Sequence, residues 1–376
     1  MAVHTASGPL VRLTPPYPDL STLSDRSEIC LRVEMDPEST QLPANLVGFG
    51  IDRVEVAEDG SILIAGQLGT LRAAVGALPP DGVHDPAIAA LRQTLEHLRD
   101  PPPPLRLGDV VWSFGTRTYL LGVVNVTPDS FSGDGVGGHP EAALARAAEL
   151  IEEGADAVDV GGESTRPGHQ PISAADEIGR VVPAVRLIAK ELSVPIFVDT
   201  SKAEVARAAL AVGATGVNDI WGLRRDPEMA EVVATAGTPL ICMHNQAGAS
   251  YRDLIGDVLA QLRASLQIAE RAGIARDQLV LDPGIGFGKT PSQNFEVLRH
   301  LVELRTLGCA ILVGTSRKSL IGWLLDQRPV EGRLLGTAAT VAWSIARGAD
   351  IVRVHDVAEI RDIARVMDAL ARRPPG

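Results

Sequence analysis

The sequence predicts an α/β protein whose main body is a (β/α)8 barrel of the TIM type, preceded by a small α+β N-terminal region. Between residues 119 and 356, short apolar segments alternate eight times with Ala- and Leu-rich segments of helical period. Several of the helical segments end in glycine, the usual helix stop. Eight such units in roughly 250 residues are what a TIM barrel requires. A doubly wound sheet would have fewer strands and a glycine-rich turn after the first one.

Two regions are expected at the N-terminal end. Residues 1–20 contain a proline cluster at 15–18 and no periodicity, which favours a disordered arm. Residues 21–100 show strand alternation at 29–35 and 54–66, followed by two segments of helical spacing. They are therefore expected to form the small α+β region.

A proline run separates this region from the barrel. Four prolines follow Asp100, and such a run forms a stiff extended linker, expected at residues 101–110. The barrel domain then covers 111–376 and opens with a short hairpin at 111–118 that closes its bottom. No catalytic pattern precedes the linker, so the N-terminal region is given a structural or interaction role. We expect the barrel to stay folded and active when residues 1–100 are deleted.

Polar residues close the predicted strands of the barrel. The strands are predicted at residues 119–126, 155–162, 195–200, 216–220, 239–244, 279–284, 310–316 and 351–356. Their polar residues are Asn125, Asp159, Asp199, Asn218, His244, Asp282, Ser316, Arg353 and His355. A single polar strand end can simply meet water, but in a barrel all the strand ends meet at the one face where active sites lie. The pattern therefore favours an enzyme.

Structural roles stay open for several of these side chains. Asp199 could cap the following helix, although Thr200 and Ser201 can supply that cap and leave Asp199 to face the pocket. Asp282 could serve the turn that follows it, and His244 could be a buried core histidine. Asn218 could instead hydrogen-bond within the following loop, together with Asp219.

Two patterns favour anion binding at the same face. Arg353 and His355 lie two residues apart on a strand and share one side, and a buried arginine without an anionic partner would be costly. The segment 314–319 begins a helix, whose exposed N–H groups attract a carboxylate or phosphate, and Lys318 adds a positive charge. Neither this segment nor the glycine loop at 284–288 has the spacing or position of a nucleotide-binding loop.

Two long loops follow the first two strands, at residues 127–138 and 163–171. Both are rich in Gly, Ser, Thr and Pro. They are expected to move and close over a ligand, with ordinary surface loops as the alternative.

Composition bounds the functional class. The formal net charge of −12 argues against a general nucleic-acid surface. Cys30, Cys242 and Cys309 are scattered without metal-binding spacing, which is typical of reduced, buried cysteines in a cytoplasmic protein. No secretory signal and no apolar stretch of membrane-spanning length is evident. We therefore expect a cytoplasmic protein that binds small molecules and neither nucleic acid nor membrane.

Eight segments, laid out in order, resemble the signatures of the dihydropteroate synthase family. They are GVVNVTPDSFSGDG, DAVDVGGESTRPG, VDTSK, GVNDI, MHNQ, LDPGIGF, TSRKS and VRVHDV. The resemblance covers residues 111–376 and departs from the family pattern by an extra glycine, Gly133, in the first loop. It implies a pterin-binding TIM-barrel transferase of folate biosynthesis. Such enzymes join 4-aminobenzoate to (7,8-dihydropterin-6-yl)methyl diphosphate and release pyrophosphate.

The resemblance also implies residue roles, Mg²⁺ as cofactor, a homodimer and a sulfonamide target. The pterin is assigned to Asp199, Asn218, Asp282 and Lys318. The diphosphate is assigned to Arg353 and His355, the aminobenzoate to Phe287 and Ser319, and loop contacts with substrate to Thr165 and Arg166. Asn125 matches the residue linked to the metal and the diphosphate. Direct catalytic roles are implied for Asn125, Lys318, Arg353 and His355.

Two other functions stay open at this stage. A methyltetrahydrofolate-dependent methyltransferase would share the pterin-holding barrel but needs no grip on a diphosphate. A degenerate barrel could instead serve as a scaffold, with the N-terminal region as its contact module. The complete set of polar strand ends favours an enzyme over a scaffold.

Overall fold

The N-terminal region of the computed structural model is a four-stranded antiparallel sheet packed against two helices. Its strands are β1 (Leu10–Thr14), β2 (Glu28–Glu34), β3 (Arg53–Val56) and β4 (Ile62–Gln67), in the order β1-β2-β4-β3. Its helices are α1 (Leu68–Ala77) and α2 (Pro86–Arg99). The predicted α+β character is confirmed, since alternate residues of β2 are buried as the sequence pattern predicts. The structure describes residues 10–15, 17, 26–34, 51–77, 86–127, 139–164 and 171–372.

Two predictions for this part of the chain are wrong. Residues 10–14 lie within the predicted disordered arm, yet they pair antiparallel with β2, because Val11 and Leu13 alternate into the core and are buried there. The closing hairpin also comes earlier than predicted, since β5 (Leu105–Leu107) pairs with β6 (Val110–Trp112). It therefore begins inside the predicted linker. The alternation of Leu105 and Leu107 was overlooked because a proline run directly precedes it.

The main body is a closed barrel of eight parallel strands. The strands are β7 (Tyr119–Asn125), β8 (Ala157–Gly161), β9 (Ile196–Asp199), β10 (Gly216–Asp219), β11 (Leu240–Met243), β12 (Leu279–Asp282), β13 (Ala310–Val313) and β14 (Ile351–Val354). Around them lie α3 (Pro140–Glu153), α4 (Ala174–Glu191), α5 (Ala203–Leu210), α6 (Met229–Ala236), α7 (Leu254–Arg271), α8 (Pro291–Arg299), α9 (Ser319–Leu324), α10 (Leu334–Ala346) and α11 (Val357–Ala371). Short 3-10 helices lie at Arg276–Gln278, Leu301–Leu307 and Val330–Gly332. All eight predicted strands and the barrel fold are confirmed. Within the described residues, the helices are too short or too polar to cross a bilayer.

Alternation along the strands separates an apolar layer at the bottom of the barrel from a polar mouth. Leu121, Phe197 and Leu312 share one buried cluster with Trp112 of the closing hairpin. The ring of Phe197 occupies the space beside Gly216, where an added Cβ would lie 2.5 Å from it. Because side chains two residues apart share a side of the sheet, the next inward positions can be read directly. They are Asp159, Asp199, Asn218, Asp282 and Arg353.

The three cysteines are free thiols. Cys242 and Cys309 are buried as predicted, but the prediction of a buried thiol is wrong for Cys30, which is only partly covered. Burial raises the pKa of Cys309 to about 11 and also raises that of Cys242. Both buried thiols are therefore protonated and poorly nucleophilic at neutral pH.

The N-terminal region is tied to the barrel by a buried ionic network. Arg12 of β1 donates to Glu303 at 3.0 Å and to Asp253, which precedes α7. The hydroxyl of Tyr17 donates to Glu303 at 2.6 Å, and His300 contacts the same carboxylate at 2.9 Å. Removing residues 1–100 would leave the buried Glu303 without two of its three partners. These contacts argue against the expectation that the barrel stands alone.

We predict that Arg12→Met destabilises the whole chain by about 3 kcal/mol, because it leaves Glu303 as a buried charge without its guanidinium. The side chain of Glu303 is only 2% exposed. Arg207→Met is the matched control, since Arg207 pairs with Glu228 and both side chains are mostly exposed. That variant should change the free energy of unfolding by less than about 0.5 kcal/mol. Urea unfolding of both variants is the measurement, and equal values for the two would contradict the prediction.

Candidate active site

One arginine joins two carboxylates at the mouth of the barrel. Arg353 of β14 donates from Nε to Oδ2 of Asp159 at 2.5 Å and from Nη2 to Oδ2 of Asp199 at 2.9 Å. Nδ2 of Asn218 donates to the same oxygen of Asp159 at 3.0 Å. Asn218 and Asp199 are register partners on neighbouring strands, so their side chains emerge side by side. We call these four residues the floor cluster.

The floor cluster holds two carboxylates against one guanidinium. Burial, followed by the charge of Asp159, raises the pKa of Asp199 to about 7, and Arg353 only partly offsets this. A carboxyl with this pKa exchanges its proton near neutral pH and can both accept and donate hydrogen bonds. Asp199 is thus suited to a heterocycle that carries donors and acceptors on one edge.

The contacts of Arg353 correct one step of the sequence argument. The sequence favoured an outside anion because a buried arginine without a partner would be costly. Two carboxylates of the chain itself satisfy this need, on β8 and β9. Burial of Arg353 is therefore no argument for a diphosphate, and that role stays a prediction.

A second group of charges lies beside the floor cluster. Oδ1 of Asp282 accepts from the backbone N of Gly284 at 2.7 Å, so the turn role left open for Asp282 is present. Burial raises the pKa of Asp282, opposed by Lys318, the turn, Lys289 and Arg353. The charge of Arg353 acts to lower the pKa of Asp282, so the two side chains lie on the same side of the molecule. Asp282 thus serves its turn and faces the pocket.

Lys318 and Phe287 lie together at the rim of the pocket. The Lys318 ammonium donates to the carbonyl of Ile285 and lies 4.7 Å from the centre of the Phe287 ring. Burial lowers the pKa of Lys318 to about 8, although Asp282 works in the opposite direction. Lys318 precedes α9, so Ser319 is the first residue of that helix, as predicted.

Of the four remaining predicted site residues, two are described by the structure and two lie outside the described residues. Asn125 ends β7, half-buried and in register with Gly161. The backbone N of His355 donates to Oγ of Ser316 at 3.2 Å, and Nδ1 of His355 lies 2.9 Å from the same oxygen, so Ser316 joins the ends of β13 and β14. Thr165 and Arg166 lie outside the described residues, as do 128–138 and 165–170 of the two predicted loops.

Neighbouring residues settle the alternatives around Asp199 and Asn218. Thr200 Oγ1 accepts from the backbone N of Lys202 at 3.2 Å, so it serves the start of α5 and Asp199 faces Arg353. Asp219 accepts from the backbone of the loop that follows it, at 2.9 Å from Trp221 and 2.7 Å from Leu223. The alternative role in the following loop is therefore correct for Asp219 and wrong for Asn218, which donates to Asp159 instead.

Two residues of this site had no ligand assigned to them from the sequence: Asp159, which was named only among the polar strand residues, and Lys289. Asp159 lies in the middle of β8, and a charge inside a fully buried strand was the available signal. Lys289 follows the glycine loop after β12, and its Nζ lies 2.9 Å from Nδ1 of His244. Burial lowers the pKa of Lys289 to about 7 and that of His244 to about 2. His244 is thus a neutral, buried partner of a lysine.

A family described as pterin binding enzymes matches residues 121–355. The chain belongs to this family. A dihydropteroate synthase of Clostridium beijerinckii is 44% identical over 270 residues, which cover 72% of this chain and 100% of the relative.

Two solved pterin-binding enzymes share the barrel. A dihydropteroate synthase of Xanthomonas albilineans with 4-aminobenzoic acid is 40% identical, with a TM-score of 0.68 over 73% of this chain and all of that one. A dihydropteroate synthase of Burkholderia cenocepacia complexed with 7,8-dihydropteroate is 37% identical, with a TM-score of 0.66, covering 72% and 97%. The family match begins at residue 121, so the N-terminal region lies outside it.

We predict that Asp199→Asn makes this pterin-binding barrel relatively more stable as the pH rises. In the unfolded chain Asp199 titrates near ~4, whereas in the folded protein its pKa is about 7. Between these values the folded state binds more protons, so the contribution of Asp199 to stability falls with rising pH. The free energy of unfolding of Asp199→Asn, relative to wild type, should rise by about 1–2 kcal/mol between about pH 5 and pH 7.5.

Urea unfolding at both pH values measures this difference. Asp362→Asn is the matched control, because its carboxylate is mostly exposed and should give no trend with pH. A constant difference between Asp199→Asn and wild type would show that Asp199 titrates normally.

Proposed function

We propose that the chain is a dihydropteroate synthase. It joins 4-aminobenzoate to (7,8-dihydropterin-6-yl)methyl diphosphate and releases pyrophosphate. The observation that carries this proposal is the floor cluster, with Asp282 and Lys318 beside it at the same mouth. The relatives add support, since they are dihydropteroate synthases along nearly their full length.

The floor of the pocket suits the pterin ring. One edge of this ring carries two kinds of donor and an acceptor, and Asp199, Asn218 and Asp282 offer the matching groups. Asn218 and Asp282 are buried and the side chain of Asp199 is only 14% exposed, so an analogue without these ring atoms would leave polar groups unsatisfied. Such sites discriminate strongly against analogues that lack a hydrogen-bonding group.

The chemistry needs charge stabilisation more than a general base. The amine of 4-aminobenzoate attacks with its lone pair, a C–N bond forms, and the C–O bond to the diphosphate breaks. The leaving group gains negative charge, which Lys318 and His355 at the rim are proposed to stabilise. A proton on Asp199 leaves the floor cluster neutral, which lowers its repulsion of the diphosphate.

Mg²⁺ is proposed as the cofactor, with Asn125 as its protein ligand. Within the described residues, no group of three or more acidic, cysteine or histidine side chains could hold a metal ion. A single amide oxygen at the end of β7 fits Mg²⁺, which commonly keeps several waters and takes its other ligands from substrate phosphates. The ion would neutralise part of the diphosphate charge when bound.

We predict that the purified chain releases pyrophosphate only when the pterin diphosphate, 4-aminobenzoate and Mg²⁺ are all present. A coupled phosphate assay measures the release, with each component omitted in turn. Arg353→Met should lower the rate by at least about a hundredfold, because it unpairs the floor cluster, whereas Arg207→Met should not change it. Folded wild type that binds the pterin but releases no pyrophosphate would point to the methyltransferase instead. No pterin binding at all would favour the scaffold.

The proposed homodimer has a candidate surface on the outer helices. Exposed apolar side chains surround a cavity of about 370 Å³ between α8, α9 and α10. Leu324 and Trp343 line this cavity, and Trp323 and Leu335 are exposed on the same helices. Apolar residues grouped in this way commonly mark a protein–protein contact, and a second copy of the chain is the proposed occupant. Sulfonamide inhibition and a cytoplasmic location stay predictions.

We predict that the wild-type chain elutes at twice its own mass in light scattering at micromolar concentration. Leu324→Asp should shift it to the monomer, because Leu324 lines the cavity and the charge would lie inside the proposed contact. Leu370→Asp is the matched control: Leu370 is also largely exposed but lies on α11, away from the cavity. A monomeric wild type, or equal behaviour of the two variants, would contradict this surface.

A further inference from the structure

Among the described residues at the mouth of the barrel, Lys289 is a largely covered cation to which the chemistry above gives no role. Lys289 follows the glycine loop, residues 284–288, which connects β12 to the segment before α8. Its Nζ lies 2.9 Å from Nδ1 of His244, 3.0 Å from the carbonyl of Gly284 and 3.2 Å from the carbonyl of Phe287. A lysine ammonium has three donors and no acceptor, so it matches these three acceptors one to one.

The partner of Lys289 is held in the form that this contact needs. His244 is buried, and its Nδ1 must be unprotonated to accept from the ammonium. Burial, followed by the charges of Lys289 and Arg224, keeps this ring neutral by lowering its pKa to about 2. The other charged groups that act on Lys289 are Asp282 and Lys318.

The glycine loop is shaped largely by side-chain donors. Gly284, Gly286 and Gly288 all have positive φ, so the loop curls in a way that other residues rarely adopt. The carbonyl of Ile285 accepts from Lys318, and that of Gly288 accepts from the hydroxyl of Tyr251 at 2.6 Å. Lys289 donates to two further carbonyls of the loop, at positions 284 and 287. It therefore helps to fix the backbone on both sides of the Phe287 ring, together with the bond from the Phe287 amide to the carbonyl of Gly284 at 3.1 Å and the bond from the Gly286 amide to Asn294 at 2.6 Å.

The backbone of Asp282 is held by strand pairing that does not involve the side chain of Lys289. It lies within the parallel pairing of β11 and β12, and its carbonyl accepts from the backbone N of His244 at 2.9 Å. Loss of Lys289 should therefore disturb the wall at Phe287 more than the pterin-binding floor.

We infer that Lys289 is a positioning residue for the aminobenzoate site, acting through its two contacts with backbone carbonyls beside Phe287 and anchored by His244. This inference rests on the proposed function for the identity of the ligand. The anchoring itself is a property of the free protein. Lys289 sets where the Phe287 ring stands, while Lys318 lies against the ring itself.

The first experiment needs no substrate. Amide hydrogen exchange of peptides covering 283–288 is compared in wild type, Lys289→Met, His244→Leu and His244→Asn. Lys289→Met keeps the length of the side chain but removes its donors, and His244→Asn keeps an acceptor near the position of Nδ1. Exchange should rise about tenfold in Lys289→Met and in His244→Leu and stay within about twofold of wild type in His244→Asn. Unchanged exchange in Lys289→Met would overturn the inference.

The second experiment asks whether the effect reaches the aminobenzoate. Steady-state kinetics of the full chain should show a KM for 4-aminobenzoate about tenfold higher in Lys289→Met, with kcat and calorimetric affinity for the pterin diphosphate within about threefold. A parallel loss of pterin affinity would mean general damage to the site and would overturn the assignment. If wild type releases no pyrophosphate while exchange in Lys289→Met still rises, the proposed function fails and the anchoring role stands.

Discussion

The site depends on one guanidinium shared by two carboxylates inside the barrel. Arg353 reaches Asp159 on β8 and Asp199 on β9, so it joins the strand that closes the barrel to two strands across the mouth. Such an arrangement is possible only because each of these side chains occupies the inward position directly above the apolar layer at the bottom of the barrel. A one-residue shift of any of these strands would turn its polar side chain toward the outer helices. The register of the strands therefore decides which side chains face the mouth of the barrel.

The charged groups at the mouth have unusual proton affinities, and burial is the leading cause. Asp199 has a pKa near 7, Lys289 near 7 and Lys318 near 8, each shifted by burial toward its neutral form. Groups of both signs that titrate close to neutral pH allow the pocket to change its net charge when a charged ligand enters. A diphosphate and a carboxylate, the two anionic parts of the proposed substrates, would favour the protonated form of each group.

Periodicity predicted the barrel well, because each strand is a short apolar run followed by a helix and a glycine. The same periodicity predicted Asp199, Asn218, Asp282 and Arg353 as residues of one site. It could not predict which of them contact one another, because the neighbours of a side chain depend on strand register. Lys289 was missed since its role comes from three acceptors that lie far apart in sequence or in an irregular loop. The strand at residues 10–14 was missed because its neighbouring prolines suggested disorder.

Two arginines of this chain are each shared between carboxylates, with opposite consequences. At the N-terminal junction, burial works to raise the pKa of Asp253, but the charge and hydrogen bond of Arg12, together with the backbone N–H groups of Gly256 and Ile255, lower that pKa overall. The negative charge is favoured there, and the contact stabilises the fold. At the barrel mouth, burial and Asp159 outweigh Arg353, so the pKa of Asp199 is raised. The side chain of Asp253 is 55% exposed to solvent, whereas that of Asp199 is only 14% exposed. The contacts of Arg12 therefore favour a charged carboxylate that stabilises the junction, whereas Asp199 can hold a proton near neutral pH and offer it to a ligand.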